Sequence, residues 1–139
     1  MKILFDTNIL LDVFLKRNGL YKESVVALDY AVKGTVEGWI SGATVTTTYY
    51  LVNKSLDRKE AERHIRSLFE IFHICNLNRV VLEEALKDGF RDYEDGVQYQ
   101  SAIQSGLHSI LTRNKRDFKK SNLPIYSPGE LINILSTLG

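Results

Sequence analysis

The sequence predicts an α/β protein, a three-layer α/β/α sandwich around a central, mostly parallel sheet of four to five strands. Short apolar runs that suit buried strands alternate along the chain with longer segments whose apolar residues recur at helical spacing. This alternation favours a parallel sheet covered on both faces, because each helix carries the chain back to the same edge of the sheet. The 139 residues fit one domain, 1–139, since a single core typically needs about 100–150 residues.

The first half of the chain is predicted to contain two strands and four helices. The strands are residues 2–5 and 37–41, and the helices are 9–15, 21–33, 43–54 and one that begins after Asp57. Asn18 and Gly19 end the first helix, and Gly34 ends the second. Asp57 and Glu60 have the spacing of an acid-headed capping box. The apolar face of the helix that follows comprises Ala61, Ile65, Leu68, Phe69 and Phe72.

The second half of the chain is predicted to add three strands and three helices. The strands are residues 73–77, 109–112 and 124–126, and the helices are 79–87, 95–104 and one that begins at Pro128. Asn78 caps the first of these helices and Gly89 ends it, while Gly106 ends the second. Ser127 and Glu130 give the last helix a capping box, with proline at its first position.

The composition excludes several classes of protein. The net charge is +1, so attraction to nucleic acid must come from local basic clusters. The longest apolar runs fall far short of the ~20 residues of a transmembrane helix, and the first strand reaches Asp6 without an apolar signal segment. We therefore expect a cytoplasmic protein with no membrane span. The single cysteine, Cys75, allows no internal disulfide and no thiolate metal site, and we expect it to be buried.

Three separated groups of acids follow predicted strands or open predicted helices. Asp6 lies where the first strand meets the first helix, a second acidic stretch spans residues 92–95, and Asp117 follows the fourth strand. Oxygen-only ligands of this kind suit Mg²⁺ and Mn²⁺. Carboxylates gathered without a cation would repel each other, so their clustering indicates a metal site. The chemistry it predicts is hydrolysis of a phosphodiester, and glycoside hydrolysis is a weaker option because no aromatic sugar platform accompanies the acids.

Each of these signals also has a purely structural interpretation. Asp6 could cap the first helix, which would stabilise the helix by about 1 kcal/mol. Asp92 and Asp95 have the spacing of a helix cap with an acid at the third position. Asp117 could be a solvated loop acid, and the basic cluster beside it a solvated loop. That cluster consists of Arg113, Lys115, Arg116, Lys119 and Lys120, which could instead hold a backbone phosphate.

Three motifs, taken in order, resemble the PIN domain family. They are the run DTNILLD at residues 6–12, Glu94-Asp95 opening a late helix, and Thr112-Arg113-Asn114 with Asp117-Phe118 after a late strand. The resemblance covers nearly the whole chain. It implies an α/β/α fold and a ribonuclease that depends on Mg²⁺ or Mn²⁺. Many such proteins are VapC-like toxins paired with an antitoxin, and the family favours homodimers.

The resemblance assigns roles residue by residue. The catalytic and metal-binding acids it implies are Asp6, Asp95 and Asp117, with Asp92 and Glu94 as further candidates for the metal. The residues it implies as supports of these acids are Thr7, Asn8, Thr47, Thr112 and Asn114. Separately from the resemblance, the basic cluster predicts that Arg113, Lys115 and Arg116 bind RNA phosphates.

One position departs from the family pattern. The family usually has Glu in the pattern Ile-Ser-x-x-Thr-x-x-Glu after the second strand, and Thr47 stands there in this chain. No acid occurs between Glu37 and Asp57. The leading prediction is a metal-dependent endoribonuclease, the toxin of a toxin-antitoxin pair that acts on RNA. The alternative is a degenerate PIN module that binds RNA or a partner protein without efficient cleavage, because threonine adds no ligand charge.

Overall fold

A computed structural model describes residues 1–17, 19 and 21–138, and these residues form five strands and seven α-helices. The strands are β1 Lys2–Phe5, β2 Glu37–Ser41, β3 His73–Cys75, β4 Ser109–Leu111 and β5 Ile125–Tyr126. The helices are α1 Thr7–Phe14, α2 Tyr21–Val32, α3 Gly42–Ser55, α4 Arg58–Ile71, α5 Arg79–Asp88, α6 Tyr93–Gln104 and α7 Pro128–Leu138. A 3₁₀ turn, Lys115–Phe118, lies between β4 and β5.

The sheet is parallel throughout, in the order β3-β2-β1-β4-β5. Alternate residues of β1 face opposite layers, so Ile3 and Phe5 enter one core and Leu4 enters the other. The first core is closed by buried side chains of five helices, namely Leu10, Ala27, Val52, Leu68 and Leu131. The second core is closed by α6 and the 3₁₀ turn. The predicted α/β/α sandwich is therefore confirmed.

Capping residues start three of the helices near the predicted positions. Asp57 accepts a hydrogen bond from the backbone N–H of Glu60 at 2.7 Å, and Asn78 caps α5 in the same way at 3.1 Å. Ser127 and Glu130 form the reciprocal capping box of α7, with distances of 3.1 and 2.9 Å. These bonds satisfy the backbone donors that the first turn of a helix leaves unpaired.

The structure corrects several boundaries and one buried position. α1 begins at Thr7 rather than residue 9, α6 begins at Tyr93 rather than residue 95, and β3 ends at Cys75 rather than residue 77. Phe69 was expected on the apolar face of α4, but it is 58% exposed because it lies at the border of that face. Cys75 is buried, as predicted.

Two further expectations concern the α1–α2 connection and the membrane. The helix stop at Asn18 falls outside the described residues, while Gly19 has the positive φ of 77° that suits a glycine turn. No helix within residues 1–17, 19 and 21–138 combines the length and apolar character that crossing a bilayer requires.

Candidate metal and nucleic-acid site

The site lies at the carboxyl ends of β1 and β4, where the chain order of the sheet reverses direction. Ligands of open α/β sheets typically bind at this switch point. Asp6 follows β1 and Thr112 follows β4, and the hydroxyl of Thr112 donates to Oδ2 of Asp6 at 2.7 Å. Asp6 is only 2% exposed. Burial raises the pKa of Asp6, and the hydrogen bonds from Thr112 and Gln98 oppose that shift.

Asp6 also caps α1, so the structural interpretation and the site interpretation both apply to it. Its Oδ1 lies 3.5 Å from the backbone nitrogen of Asn8, which donates to it. A residue in the N-cap position is held by the helix it starts, and this fixes the carboxylate at the end of β1. Asn8 itself lines the cavity next to Asp6.

Gln98 is a member of the site that the sequence analysis did not find. It is 1% exposed, and its Oε1 accepts the backbone N–H of Thr7 at 3.1 Å. Its Nε2 donates to Oδ1 of Asp6 at 3.0 Å and to Oδ1 of Asp95 at 3.4 Å. The side-chain amide therefore connects two of the predicted metal ligands. The available signal was its spacing of three residues after Asp95, which puts both side chains on one face of α6.

The acidic stretch at residues 92–95 is divided between a helix cap and the site. Asp92 caps α6, and its Oδ1 accepts the backbone N–H of Glu94 at 2.8 Å. The carboxylate of Glu94 accepts the hydroxyls of Thr7 and Thr47, both at 3.3 Å. Thr47 lies on the second turn of α3, and it faces the acids. Burial raises the pKa of Glu94.

Asp95 shows most directly that the acids share one electrostatic environment. Burial raises its pKa to about 7, and the charges of nearby carboxylates add to the shift. Those carboxylates belong to Asp6, Asp92, Asp117 and Glu94. Asp117, an exposed residue of the 3₁₀ turn, thus joins the other predicted acids although it lies on a different element.

Two adjoining cavities receive these side chains. One has a volume of 180 Å³ and contains Asp6, Glu94, Asp95 and Thr47 in its wall. The other has a volume of 390 Å³ and is lined by Arg91, Asp92, Asp95 and Asp117. The two share Asp92 and Asp95, so the acids form one continuous surface.

The donor set has the chemistry of a site for a hard cation. All its strong ligands are carboxylate oxygens, and their mutual repulsion would be relieved by a bound divalent ion. Among the described residues, no three Asp, Glu, His or Cys side chains are gathered closely enough to hold an ion as they stand. Gln98 provides a physical reason, because its amide donates to Asp6 and Asp95 in the position between them. The residues fit the ion by type and by charge.

The basic loop is arranged differently from the expectation. Nε of Arg113 lies 3.1 Å from Oδ2 of Asp12, a fully buried acid of α1. Nζ of Lys115 lies 3.0 Å from Oε1 of Glu130. Two of the three cations expected to hold phosphates are therefore paired with acids of the chain itself, whereas Arg116 lines an open cavity.

Asn114 and Thr7 support the site in different ways. The N–H of Asn114 donates to Oγ1 of Thr112 at 3.1 Å, so the turn after β4 fixes the hydroxyl that contacts Asp6. The hydroxyl of Thr7 donates to Glu94. The hydroxyl oxygen of Thr44 lies 2.9 Å from that of Thr7, within hydrogen-bond distance.

The raised pKa of Asp95 predicts a pH-dependent stability. A carboxyl with a pKa near 3.8 when unfolded and about 7 when folded favours folding in its protonated form, so its contribution is lost as pH rises from about 4 to 7. In EDTA at pH 8, Asp95→Asn should raise Tm by roughly 2–4 °C, or about 1 kcal/mol after discounting for solvent screening. At pH 4 the two proteins should melt together. Differential scanning calorimetry of the unaltered protein and Asp95→Asn measures the change in Tm. The control is Glu70→Gln, which neutralises an exposed acid. An equal rise in Tm in the control would contradict the prediction.

The fold and the site together place this chain in a class of proteins. These are α/β proteins with a parallel sheet covered on both faces and an acidic binding site at its switch point. The pattern of one such family, the PIN domain, matches residues 2–116. The chain belongs to the PIN domain family, as the three motifs indicated.

Individual relatives agree with this assignment. The chain is 28% identical over 142 residues to ribonuclease VapC1 of Aquifex aeolicus (strain VF5), a match that covers 99% of this chain and 97% of the relative. A toxin-antitoxin complex from Klebsiella pneumoniae contains a chain of similar fold, with a TM-score of 0.67, 25% identity, and coverage of 91% of this chain and 97% of that one. VapBC2 of Rickettsia felis bound to a promoter DNA fragment gives a TM-score of 0.69 at 17% identity, covering 91% and 98%.

Proposed function

We propose that this protein is an endoribonuclease that hydrolyses RNA phosphodiester bonds with the help of Mg²⁺ or Mn²⁺. The observation that carries the proposal is that acids of α6 and the 3₁₀ turn lie near buried Asp6, which follows β1. Membership in the PIN domain family supports it, as does the similarity to a relative named ribonuclease VapC1.

The ion would be held by Asp6, Asp95 and Asp117, with Asp92 or Glu94 assisting. When bound, Mg²⁺ or Mn²⁺ would polarise the phosphoryl group and help a water molecule attack it. The chain supplies the orientation of the ligands. Thr112 and Gln98 each fix one oxygen of Asp6, and Thr7 and Thr47 fix the two oxygens of Glu94. Such supporting partners typically change metal affinity by about 10–100-fold when removed.

We further propose that the protein is the toxin of a toxin-antitoxin pair and that it forms a homodimer. The similarity to the chain from the Klebsiella pneumoniae complex supports the first part. Exposed apolar side chains on α5, with Val80 54% and Leu86 73% exposed, support an association surface, because apolar patches on soluble proteins often mark contacts.

A second candidate function follows from Thr47. If the missing acid lowers metal affinity too far, the chain would hold RNA or a partner protein without cutting. The favouring observation is that Thr47 reaches Glu94 through a hydroxyl and brings no charge to the cavity. Metal affinity depends strongly on the number of charged ligands.

Cleavage of labelled RNA by purified protein in Mn²⁺ separates the two functions. We expect cleavage by the unaltered chain, none in EDTA, and a loss of roughly 10²-fold or more in Asp6→Asn, which keeps the helix cap but removes the charge. Glu70→Gln, which alters an exposed acid of α4, should cut at the original rate. Cleavage that persists in Asp6→Asn would indicate a contaminating nuclease and remove the metal-site proposal. Binding without cleavage would favour the second function.

A further inference from the structure

We propose that a third pocket, beside the two acidic cavities, is a nucleotide subsite, which holds the phosphate and ribose next to the bond that is cut. This inference rests on the proposed ribonuclease function. The pocket has a volume of 280 Å³ and lies between the end of α5 and the 3₁₀ turn. Its wall is formed by Gly89, Phe90, Arg91, Arg116, Asp117, Lys119 and Lys120.

The pocket is continuous with the acidic surface. Arg91 and Asp117 line both this pocket and the 390 Å³ acidic cavity. A nucleic-acid strand with one phosphate at Asp95 and Asp117 would therefore enter this pocket with the neighbouring nucleotide. Arg91 lies at the boundary, where it would contact the backbone between the two positions.

Three cations of the pocket have no acid partner, unlike Arg113 and Lys115 of the adjoining basic cluster. Arg91, Arg116 and Lys119 are exposed, and none of them forms an ion pair with another described residue. Arg113 and Lys115, by contrast, are paired with buried Asp12 and with Glu130. Cations without a partner retain their charge for an anion from outside, and arginine suits phosphate because its guanidinium donates in a fork.

The fourth cation of the pocket, Lys120, is held in place by hydrogen bonds to the backbone. The ammonium of Lys120 donates to the backbone carbonyl of Gly89 at 2.7 Å and lies 3.4 Å from that of Asp88. It thus caps the end of α5 while adding positive charge to the pocket. The pocket carries four cations against the one carboxylate of Asp117, a balance that attracts a phosphodiester.

The apolar part of the pocket suits a sugar or the face of a base. Phe90 is half-buried, and its ring stacks on Tyr99 with centroids 5.3 Å apart. It also meets the edge of Phe118 at 6.1 Å. These contacts hold Phe90 in place, which provides a pre-formed surface. A volume of 280 Å³ is near the lower end for small-molecule sites, and it fits one nucleotide rather than a longer segment.

The test compares two triple variants that remove the same charge. In the first, Arg91→Gln, Arg116→Gln and Lys119→Gln change the pocket. In the control, Lys22→Gln, Lys54→Gln and Lys59→Gln change exposed lysines that have no ion pair within the described chain. Fluorescence anisotropy of a short single-stranded RNA, in EDTA and over a series of KCl concentrations, gives the affinity and its salt dependence without cleavage.

We expect the pocket variant to bind RNA about tenfold more weakly or worse, with the slope of log affinity against log salt reduced by about 2, as for three lost phosphate contacts. The control should keep both the affinity and the slope. Equal effects in the two variants, or an unchanged slope in the pocket variant, would overturn the subsite. All six side chains are exposed, so both variants should melt like the unaltered protein.

The outcomes separate this inference from the proposed function. If the unaltered chain cuts RNA in Mn²⁺ and the pocket variant binds RNA normally, the subsite is wrong and the ribonuclease stands. If the pocket variant loses RNA binding while the unaltered chain never cuts, the pocket is an RNA site of a binding module. If the pocket variant loses affinity for an acidic peptide and keeps that for RNA, the pocket belongs to a protein partner and the subsite is wrong.

Discussion

Asp12→Asn will lower the free energy of unfolding by about 2–3 kcal/mol, the largest stability effect we expect from a single polar substitution in this chain. The carboxylate of Asp12 is fully buried and lies between two arginines, at 3.1 Å from Arg113 and 3.5 Å from Arg17. It also accepts the hydroxyl of Ser24 at 3.2 Å. Removing its charge leaves Arg113, which is only 24% exposed, without its counter-ion. Both arginines are partly exposed, so we expect a smaller loss of stability than for the breaking of a wholly buried ion pair.

Urea denaturation followed by circular dichroism measures this loss. The matched control is Asp29→Asn, because the Asp29–Lys33 pair is even shorter, at 2.7 Å, but is exposed on both sides. An exposed pair of this kind contributes little to stability because water screens both charges. If Asp12→Asn is no more destabilising than Asp29→Asn, the buried carboxylate does not stabilise the fold. The double variant Asp12→Asn/Arg113→Gln should lose less than the two single losses added together, since each removes the same interaction.

The Asp12–Arg113 pair also links the core to the site. Arg113 directly follows Thr112, whose hydroxyl contacts Asp6, and the charge of Arg113 acts against the rise in the pKa of Asp6. The first helix thus holds the turn after β4 through a contact of opposite charges. We infer that Arg113 positions this turn, rather than holding the phosphate that the sequence suggested for it.

The elements of the fold were predictable because their signals are local. A strand such as β1 is recognised from a few adjacent residues, and a cap such as Asp57 or Asn78 needs only a donor three residues ahead. The starts of α1 and α6 were placed two residues late because the first turns, with Thr7, Asn8 and Glu94, are polar and add little to the apolar periodicity.

The acids of the site were predictable as a set, but their partners were not. Gln98 contacts Thr7 and Asp6 across more than ninety positions of the chain, and a glutamine on a helix has no motif of its own. Arg113 and Lys115 formed an apparent basic cluster because the sequence does not show Asp12 and Glu130 folding back onto them. Side-chain pairing of this kind depends on the tertiary structure.

Thr47→Glu will raise the affinity for Mn²⁺ by at least about tenfold, which corresponds to about 1.4 kcal/mol. Thr47 lines the 180 Å³ cavity with Asp6 and Asp95, and its hydroxyl lies 3.3 Å from Oε2 of Glu94. A carboxylate added within ~4 Å of a divalent ion contributes on the order of a few kcal/mol at an effective dielectric of 20. Ordering the longer side chain offsets part of that gain.

The same substitution should make stability depend on the metal. Without an ion, the new carboxylate meets Glu94, Asp6 and Asp95, so Tm should fall in EDTA and rise in excess Mn²⁺. Two controls isolate the cause. Thr47→Gln adds the length without the charge, and Thr46→Glu adds the charge at an exposed position on the same helix. Isothermal calorimetry of Mn²⁺ with the four proteins decides the matter. An equal gain in Thr46→Glu, or no gain in Thr47→Glu, would mean that Thr47 does not face a metal site. An equal gain in Thr47→Gln would mean that an added oxygen ligand, and not its charge, raises the affinity.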